Sequence, residues 1–334
     1  MPARATVVIP NWNGERLLDL CLRSLRNQSF QDFETIVVDN DSTDDSLAFL
    51  EREFPEVDVI SLEKNKGFAA AVNHGIRASD TEFVVLLNND TEQDERWLEA
   101  LIGAADAHVE AGLFASKLVD FHDRRVLDGA GDAIRLSGLP YRLGHGERDR
   151  GQFEEPGYVF GACAAAALYR GSLFGEIGYF DEDFVSYCED GDLSFRAQLA
   201  GHRCFYVPGA VVYHMGSAST GGKRSPTATR LGTQNSLGLL VKDLPRSAVP
   251  HVLPFFVLGQ LARLATAAAT GSLRAHLEGL LGAWRHLPLM REKRAVIQKR
   301  RRISDAEVRR LLRRSSLAAA ASIARRLRDS VVTR

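Results

Sequence analysis

Two stretches, TVVIPNWN at residues 6–13 and TIVVDNDSTDD at residues 35–45, share one form: a short apolar, β-branched run that ends in small polar and acidic side chains. The form recurs in VDVISLEKNKG at residues 57–67 and in FVVLLNNDTE at residues 83–92. The four apolar runs begin 22 to 29 residues apart, and helix-like segments separate them. This alternation predicts an α/β fold with a mostly parallel central sheet and flanking helices.

The polar segments that follow the four runs are expected to meet at one edge of the sheet. In open α/β sheets, ligands bind at the carboxyl ends of the strands. Asn, Asp and Ser are also common in any loop before a helix, because they cap helices and form turns. Four such loops in succession would nevertheless gather several carboxylates, which a cation or a donor-rich ligand would balance. A divalent metal together with a nucleotide meets that need.

The composition is that of a soluble globular protein with one or two domains. Of the 334 residues, 45% are hydrophobic and 25% are charged, which excludes collagen-like and disordered chains. The four cysteines form no CxxC pair, so reduced thiols in a cytosolic protein are the simplest interpretation. The N-terminal residues show no signal peptide, and the active part is therefore expected in the cytoplasm.

The formal net charge of −1 conceals a division of the chain into two regions of opposite charge. Residues 285–334 contain sixteen Lys and Arg against four Asp and Glu, so this tail carries +12 and the remainder −13. A basic tail commonly faces an anionic surface such as a membrane leaflet. The acidic body argues against a nucleic acid as the main ligand.

The C-terminal third differs in character from the rest of the chain. We expect a catalytic domain at residues 1–225 and a helical, basic region at residues 226–334, with a mobile loop at residues 220–227 near the boundary. Residues 249–270 are apolar but contain two prolines and an arginine, which favours an interfacial or re-entrant helix over a spanning one. Residues 296–327 are amphipathic, as expected for a helix on anionic lipid; a solvated or partner-binding helix is the alternative.

Several motifs together resemble one known family. They are VVIPNWNG, IVVDNDSTDDS, NKGFAAAVNHGI, LLNND, GYFDEDFVSYCEDGDLSFR and VVYH, which occur in this order across residues 5–220. In this combination they resemble glycosyltransferase family 2, and within it they are most similar to the bacterial rhamnosyltransferase-like branch. The resemblance implies a GT-A fold and an inverting transfer of a sugar from a nucleotide diphosphate sugar to a hydroxyl acceptor.

The resemblance also implies a nucleotide site. Its matching aspartate, Asp39, would accept a hydrogen bond from the imide N–H of uracil or thymine, and Trp12 would offer a stacking face unless it is a core aromatic. Gly67 would let backbone amides at a helix start approach phosphate oxygens. Val72 stands where many family members have Arg. The expected nucleotide-binding residues are Pro10, Asn11, Trp12, Asn13, Asp39, Asn65, Gly67 and Asn89.

A metal site is implied by the segment Asn88-Asn89-Asp90, which occupies the place of the family's Asp-x-Asp motif. Only Asp90 is ionised there, so the motif is weaker than usual. His214 lies where related enzymes supply an imidazole, although a lone His after a strand is often structural. Mg²⁺ or Mn²⁺ would suit these ligands and would neutralise the departing diphosphate.

The catalytic base implied by the resemblance is Asp190, with Glu189 beside it. Inverting transfer needs a group that takes the proton from the acceptor hydroxyl. The alternative is that these acids merely favour the first turn of a helix. Arg196 on the same helix could pair with a carboxylate or contact phosphate.

The favoured function is an inverting glycosyltransferase that uses dTDP-rhamnose, or another dTDP- or UDP-sugar, to build a cell-surface polysaccharide on a lipid-linked or glycan acceptor. We expect it at the inner face of the cell membrane as a peripheral protein, with no nucleic acid partner, and homo-oligomerisation is left open. Two alternatives remain. One is a polyprenyl-phosphate sugar synthase, and the other is a non-catalytic scaffold that binds sugar nucleotides.

Overall fold

A computed structural model describes residues 3–216 and 225–332. In its N-terminal part, four parallel strands lie in the order β3-β2-β1-β4, and a helix follows each of the first three strands. These elements are β1 (Ala5–Asn11), α1 (Glu15–Arg26), β2 (Phe33–Asp39), α2 (Ser46–Glu53), β3 (Asp58–Ser61), α3 (Phe68–Ala78) and β4 (Phe83–Leu87). The strand and helix pattern predicted from the first ninety residues is confirmed.

The sheet continues beyond β4 to ten strands, and one strand near its centre runs antiparallel to both of its neighbours. The further elements up to residue 214 are β5 (Thr91–Gln93), α4 (Trp97–Ala107), β6 (Ala111–Asp120), β7 (Leu127–Ala130), β8 (Asp132–Ile134), β9 (Pro140–Arg142), β10 (Gly157–Val159), β11 (Ala166–Arg170), α5 (Gly171–Ile177), α6 (Glu189–Leu199) and β12 (Arg203–His214). Strand β11 runs antiparallel between β4 and β6, and β12 runs parallel to β6. The prediction of a mostly parallel sheet with flanking helices is therefore confirmed.

The sheet buries apolar side chains on both of its faces. Along β1, Val7 and Ile9 point into one core with α1, α2 and α4, whereas Val8 points into the other core with α3, α5 and α6. Successive side chains of a strand point to opposite faces, so a continuous β-branched run fills both layers. This arrangement leaves the loops at the carboxyl ends of the strands free to form a site.

Two local patterns in the sequence predict structures that differ from the observed ones. The segment CFYVPGAVVYHMGS at residues 204–217 predicts two short strands broken at Pro208, but β12 is one strand whose register shifts against β6 between Val207 and Val211. A bulge lets a strand pass a proline without a break. The Gly-, Arg- and Asp-rich composition of residues 124–155 predicts a surface excursion or flexible loop, but these residues contain β7, β8 and β9 and bury Asp128 and Asp132.

The C-terminal region consists of four helices, as predicted for its fold: α7 (Pro226–Asp243), α8 (Val249–Ala269), α9 (Leu273–Arg300) and α10 (Asp305–Val332). Of the boundary loop predicted at residues 220–227, residues 220–224 lie outside the described residues, and α7 begins at Pro226. On α10, Val308 and Leu312 are buried in one core with Phe184 and Phe195. The expectation that this apolar face lies on lipid was wrong, because it packs against the chain itself.

Helix α8 is one continuous helix, although it contains two prolines. Pro250 lies in its first turn, where the missing N–H costs nothing, and Pro254 lies inside the helix. Among the described residues, Arg246–Ala269 is the one helical segment that is long and apolar enough to cross a membrane by length and composition, and 11% of its apolar 18-residue stretch is buried. Its Leu258 is 64% exposed and Leu261 is 57% exposed.

Helices α6 and α7 are joined by buried ion pairs. Lys242 of α7 is 2% exposed and pairs with Asp181 at 2.5 Å and with Asp192 of α6. Arg196 pairs with Asp192 at 2.9 Å and donates to the carbonyl oxygens of residues 177–179. Of the two roles considered for Arg196, the pairing with a carboxylate is the one that the structure shows.

Candidate active site

The carboxyl ends of β1, β4 and β12 border a cleft formed by two adjoining cavities of about 300 and 450 Å³. Phe68, Asn88, Ser186 and Tyr187 line both cavities. The smaller cavity contains most of the predicted nucleotide-binding residues, namely Pro10, Asn11, Trp12, Asn65, Gly67 and Asn89, together with Asp90. The larger cavity contains Asp132, Glu189, Asp190 and His214. The structure thus brings the predicted nucleotide, metal and base residues to one cleft.

Asp39 is buried and does not line the smaller cavity itself, but it binds Asn11, which does. Its Oδ2 accepts a hydrogen bond from Asn11 Nδ2 at 3.1 Å, and its Oδ1 accepts one from the backbone N–H of Ser42 at 3.0 Å. Asn11 Oδ1 in turn accepts from Asn89 Nδ2 at 2.8 Å. All three side chains are buried. This chain of hydrogen bonds fixes Asn89 relative to the first two strands.

Two predicted nucleotide residues on the first loop have different environments. Trp12 is 41% exposed and lines the cavity, so it is available for stacking and is not a core aromatic. Asn13 has a positive φ of 49° and binds the loop after β2: its N–H donates to Ser42 Oγ at 2.8 Å, and its Oδ1 accepts from the N–H of Thr43 at 2.7 Å. Asn13 therefore holds two loops together.

Gly67 precedes α3 with a φ of +84°. A Cβ at this position would lie 2.5 Å from Val185 Cγ1 and 2.8 Å from the carbonyl oxygen of Val185. The same carbonyl accepts a hydrogen bond from the N–H of Ala69 at 3.1 Å. The segment around Val185 therefore covers the start of α3, and one of the amides expected at a phosphate is already used by the chain.

The substitution Gly67→Ala should weaken nucleotide binding and lower the free energy of unfolding by about 1–3 kcal/mol, because it combines a strained φ with a backbone clash. Thermal melts with and without a UDP-sugar and Mn²⁺ would measure both effects. Gly103→Ala is the control, because among the described residues no atom beyond its chain neighbours and the adjacent backbone of its own helix lies within 4 Å of a Cβ at Gly103. Equal melting temperatures and equal ligand shifts for both variants would contradict the steric argument.

The two predicted metal ligands lie side by side. His214 Nε2 is 3.2 Å from Asp90 Oδ1, and His214 Nδ1 is 2.7 Å from Asp128 Oδ2. Burial opposes the charged imidazole, but Asp128 and Asp90 raise the pKa of His214. A carboxylate at Nδ1 orients the ring so that Nε2 faces Asp90, which is the arrangement of metal-ligating histidines. One carboxylate oxygen and one imidazole nitrogen suit a divalent cation such as Mn²⁺.

Asp128 is a site residue that the sequence did not reveal. Burial alone would raise the pKa of Asp128, but Arg142, His145 and His214 hold it far below its usual range. Arg142 lies 2.7 Å from the Asp128 carboxylate and also donates to Cys163 Sγ. The sequence signal was weak because β7 and β9, which hold these residues, are only three or four residues long.

Asp190 lies half-buried at the start of α6, beside two more acids. One carboxylate oxygen each of Asp132 and Asp190 and the Sγ of Cys163 lie within 4.8 Å of one another. Burial is the largest cause that raises the pKa of Asp132, and the neighbouring Asp190 is the second. The same two causes, in the same order, raise the pKa of Glu189. The pKa of each of these two neighbours of Asp190 therefore lies above its usual range.

The stability of the protein should depend on the protonation of Glu189. Its pKa of about 8 lies above the unfolded value of 4.5, so the folded state holds its proton to higher pH and loses stability as pH rises from about 5 to 8. The variant Glu189→Gln should escape a loss on the order of 2 kcal/mol across that range. Urea unfolding from pH 5 to 9 would measure it, with the exposed Glu155→Gln as control. If the free energy of unfolding changes with pH in the same way in the wild type, Glu189→Gln and Glu155→Gln, the prediction is contradicted.

The loop before α6 is strained and is held by one side chain. Val185, Tyr187 and Cys188 have φ values of 62°, 70° and 70°, in the left-handed region that non-glycine residues avoid. Asn235 Nδ2 on α7 contacts three carbonyl oxygens of residues 184–187 at 2.7 to 2.9 Å. Backbone strain of this kind persists where the surroundings impose it, and it clusters at active sites. Asn235 was not predicted, because nothing in the sequence of α7 distinguishes it.

Comparison with known proteins identifies the family of this chain. The model of the glycosyl transferase family 2 matches residues 6–178. The chain belongs to this family. It is therefore a glycosyltransferase, as its motifs predicted, and Asp190 and His214 lie beyond the matched region.

Two curated relatives come from Mycobacterium tuberculosis. Pre-mycofactocin glycosyltransferase is 34% identical over 222 residues, which cover 63% of this chain and 42% of that protein. N-acetylglucosaminyl-diphospho-decaprenol L-rhamnosyltransferase is 27% identical over 299 residues, which cover 82% of this chain and 94% of that protein. The chain thus spans less than half of the first relative and nearly all of the second. Both kinds of transferase are similar to this chain, so the rhamnosyltransferase branch stays a prediction.

Solved structures agree on the GT-A fold. Staphylococcus aureus TarS, residues 1–349 with UDP-GlcNAc, has a TM-score of 0.55 at 17% identity and covers 89% of this chain and 90% of its own. GalNAc-T7 with UDP, GalNAc and Mn²⁺ has a TM-score of 0.58 at 18% identity and covers 72% of this chain and 48% of its own. The predicted fold class is confirmed.

Proposed function

We propose that this chain is a metal-dependent inverting glycosyltransferase that moves a sugar from a nucleotide diphosphate donor to an acceptor hydroxyl. The observation that carries the proposal is the position of Asp190 in a cleft that also contains Asn89, Trp12 and the Asp90–His214 pair. Residues 1–225 supply this machinery, and the helical region 226–334 supports it and supplies the contact with the acceptor's surroundings.

In the transfer, Asp190 takes the proton of the acceptor hydroxyl while that oxygen forms a bond to the anomeric carbon. The bond from that carbon to the diphosphate breaks on the opposite face, and the nucleoside diphosphate leaves. Asp90 and His214 would hold a divalent cation, which would supply positive charge for the leaving diphosphate. Trp12 stacks on the base. Asn89 faces the nucleotide and is held by hydrogen bonds that link it through Asn11 to Asp39.

We further propose dTDP-rhamnose as the donor and a lipid-linked or glycan acceptor in cell-surface polysaccharide synthesis, at the cytoplasmic face of the membrane. The similarity to a decaprenol-diphosphate rhamnosyltransferase over 94% of that protein's length supports this choice. The basic tail and the exposed apolar residues of α8 support a membrane position.

The test is a panel of dTDP- and UDP-sugars, each with and without Mn²⁺, read by thermal shift. A ligand that binds only the folded protein raises its melting temperature. We expect dTDP-rhamnose to give the largest shift, and we expect the shift to require Mn²⁺ and to disappear in Asp90→Asn. A larger shift with another sugar would overturn the donor, and shifts that ignore Mn²⁺ would overturn the metal.

One observation favours the polyprenyl-phosphate sugar synthase: α8 is long and apolar enough to cross a membrane by length and composition. Such an enzyme needs little base catalysis, since its acceptor is already a phosphate anion. An Asp190→Asn variant that still glycosylates a prenyl phosphate would favour the synthase. Loss of transfer in that variant would favour the hydroxyl acceptor proposed here.

A further inference from the structure

An apolar groove of about 660 Å³ lies between α7, α8 and α9. No residue of the catalytic cleft contributes to it. Its wall consists mainly of Leu237, Leu240, Val241, Val252, Leu253 and Phe256. A volume of this size is typical of small-molecule sites.

Arginines gather at one end of the groove. Arg246, Arg291 and Arg294 line both the groove and an adjoining cavity of about 500 Å³. Within residues 3–216 and 225–332, these three guanidinium groups form no salt bridge with a carboxylate, whereas their neighbour Arg301 pairs with Asp305. Burial lowers the pKa of Arg294, and the charge of Arg246 lowers it further. This cluster is therefore suited to an anion with more than one charge.

The groove and the catalytic cleft lie on two sides of the β8–β9 hairpin. Gly138 of the hairpin turn contacts Leu240, since a Cβ on Gly138 would lie 2.3 Å from Leu240 Cδ1, and Pro140 of β9 lines the cleft. Helix α7 passes from one to the other, because Leu231 lines the cleft and Leu240 the groove. Nine residues of helix span about 14 Å.

We propose that this groove binds the lipid part of the acceptor, with an apolar chain along α7 and α8 and a diphosphate on Arg246, Arg291 and Arg294. The inference rests on the proposed function, in which a lipid-linked sugar is one of the two acceptors proposed to reach Asp190. Guanidinium groups bind phosphate oxygens in pairs, and three of them match a diphosphate better than the single charge of a phospholipid diester. Exposed Leu258 and Leu261 on α8 continue the apolar path toward the bilayer from which the chain would enter.

The test measures binding of farnesyl diphosphate to the full chain while UDP and Mn²⁺ saturate the catalytic cleft. We expect binding that the double variant Arg246→Ala, Arg291→Ala weakens about tenfold or more, since both are charge-assisted contacts. Both side chains are exposed, so the variant should fold. Arg274→Ala is the control on the same helix as Arg291, because the Arg274 side chain is 93% exposed and pairs with nearby Glu278. Equal binding by the double variant and the control would overturn the proposal.

A second pair of variants tests the apolar part. Leu253→Asn should weaken farnesyl diphosphate binding, and Leu264→Asn should not, since Leu264 is exposed on the same helix outside the groove lining. Inorganic diphosphate should bind more weakly than the farnesyl compound. If Leu253→Asn has no effect, the apolar chain does not lie in the groove and the proposal fails. The proposal also fails if phosphatidylglycerol vesicles bind with the same dependence on the arginines and displace the probe, because the groove is then a phospholipid contact. Arginine-dependent binding in a protein that cleaves no donor would instead refute only the proposed function.

Discussion

The variant Asp190→Asn is expected to lose sugar transfer by a factor of about 10² to 10⁴ while binding the donor nucleotide nearly as the wild type does. An amide has the shape of the carboxylate but cannot take the proton of the acceptor. The neighbouring Asp132 and Glu189 cannot replace it at neutral pH, because burial raises the pKa of each and keeps them protonated. The effect should therefore fall on turnover and not on affinity.

Transfer rates and thermal shifts with a UDP- or dTDP-sugar would separate the two quantities. Asp80→Asn is a suitable control, since Asp80 is exposed just beyond the end of α3 that faces away from the cleft. The control should transfer sugar at the wild-type rate. Wild-type turnover in Asp190→Asn would remove Asp190 as the base, and a lost thermal shift would place it in donor binding.

The variant Lys242→Met is expected to lower the free energy of unfolding by about 3–5 kcal/mol. Lys242 is 2% exposed and pairs with Asp181 and Asp192, whose side chains are 7% and 0% exposed. Asp243 beside it is also buried, and burial followed by the charge of Asp192 raises its pKa. In the variant, Lys293 still pairs with Asp181 and Arg196 still pairs with Asp192, but removal of Lys242 takes away the buried positive charge that both acids share.

Urea unfolding would measure this loss as a shift of the midpoint. Lys299→Met, an exposed lysine on α9, is the matched control and should change stability by no more than about 0.5 kcal/mol. Since α6 begins with Glu189 and Asp190, transfer should also fall in Lys242→Met. Equal midpoints for the two variants would show that these ion pairs do not hold α6 in place.

The sequence was sufficient to predict β1 to β4, because each is an apolar run that ends in polar loop residues. Strands β1, β2 and β4 bury side chains on both faces of the sheet, whereas the edge strand β3 is mostly exposed. It also predicted that Asp90 and His214 would meet, although they are distant in the chain. That prediction came from the family motifs, since no local pattern links the two residues.

Other features could not be predicted because the pattern that encodes them is ambiguous or short. Asp128, Asp132 and Arg142 lie on strands of three or four residues, where polar composition indicates a surface loop until the partners are known. The apolar stripe of α10 has the same period whether it faces lipid or protein. The stripe faces protein, with Val308 and Leu312 buried against the chain's own core.

The most direct test of the central claim is the release of nucleoside diphosphate from dTDP- and UDP-sugars, with Mn²⁺ and after its removal by a chelator. If this chain is a metal-dependent glycosyltransferase, we expect the wild-type protein to release nucleoside diphosphate from at least one donor. That release should be lost with chelator and in Asp90→Asn. Binding of these donors without release under any metal, and without transfer to any hydroxyl acceptor, would contradict this function and indicate a non-catalytic sugar-nucleotide-binding scaffold.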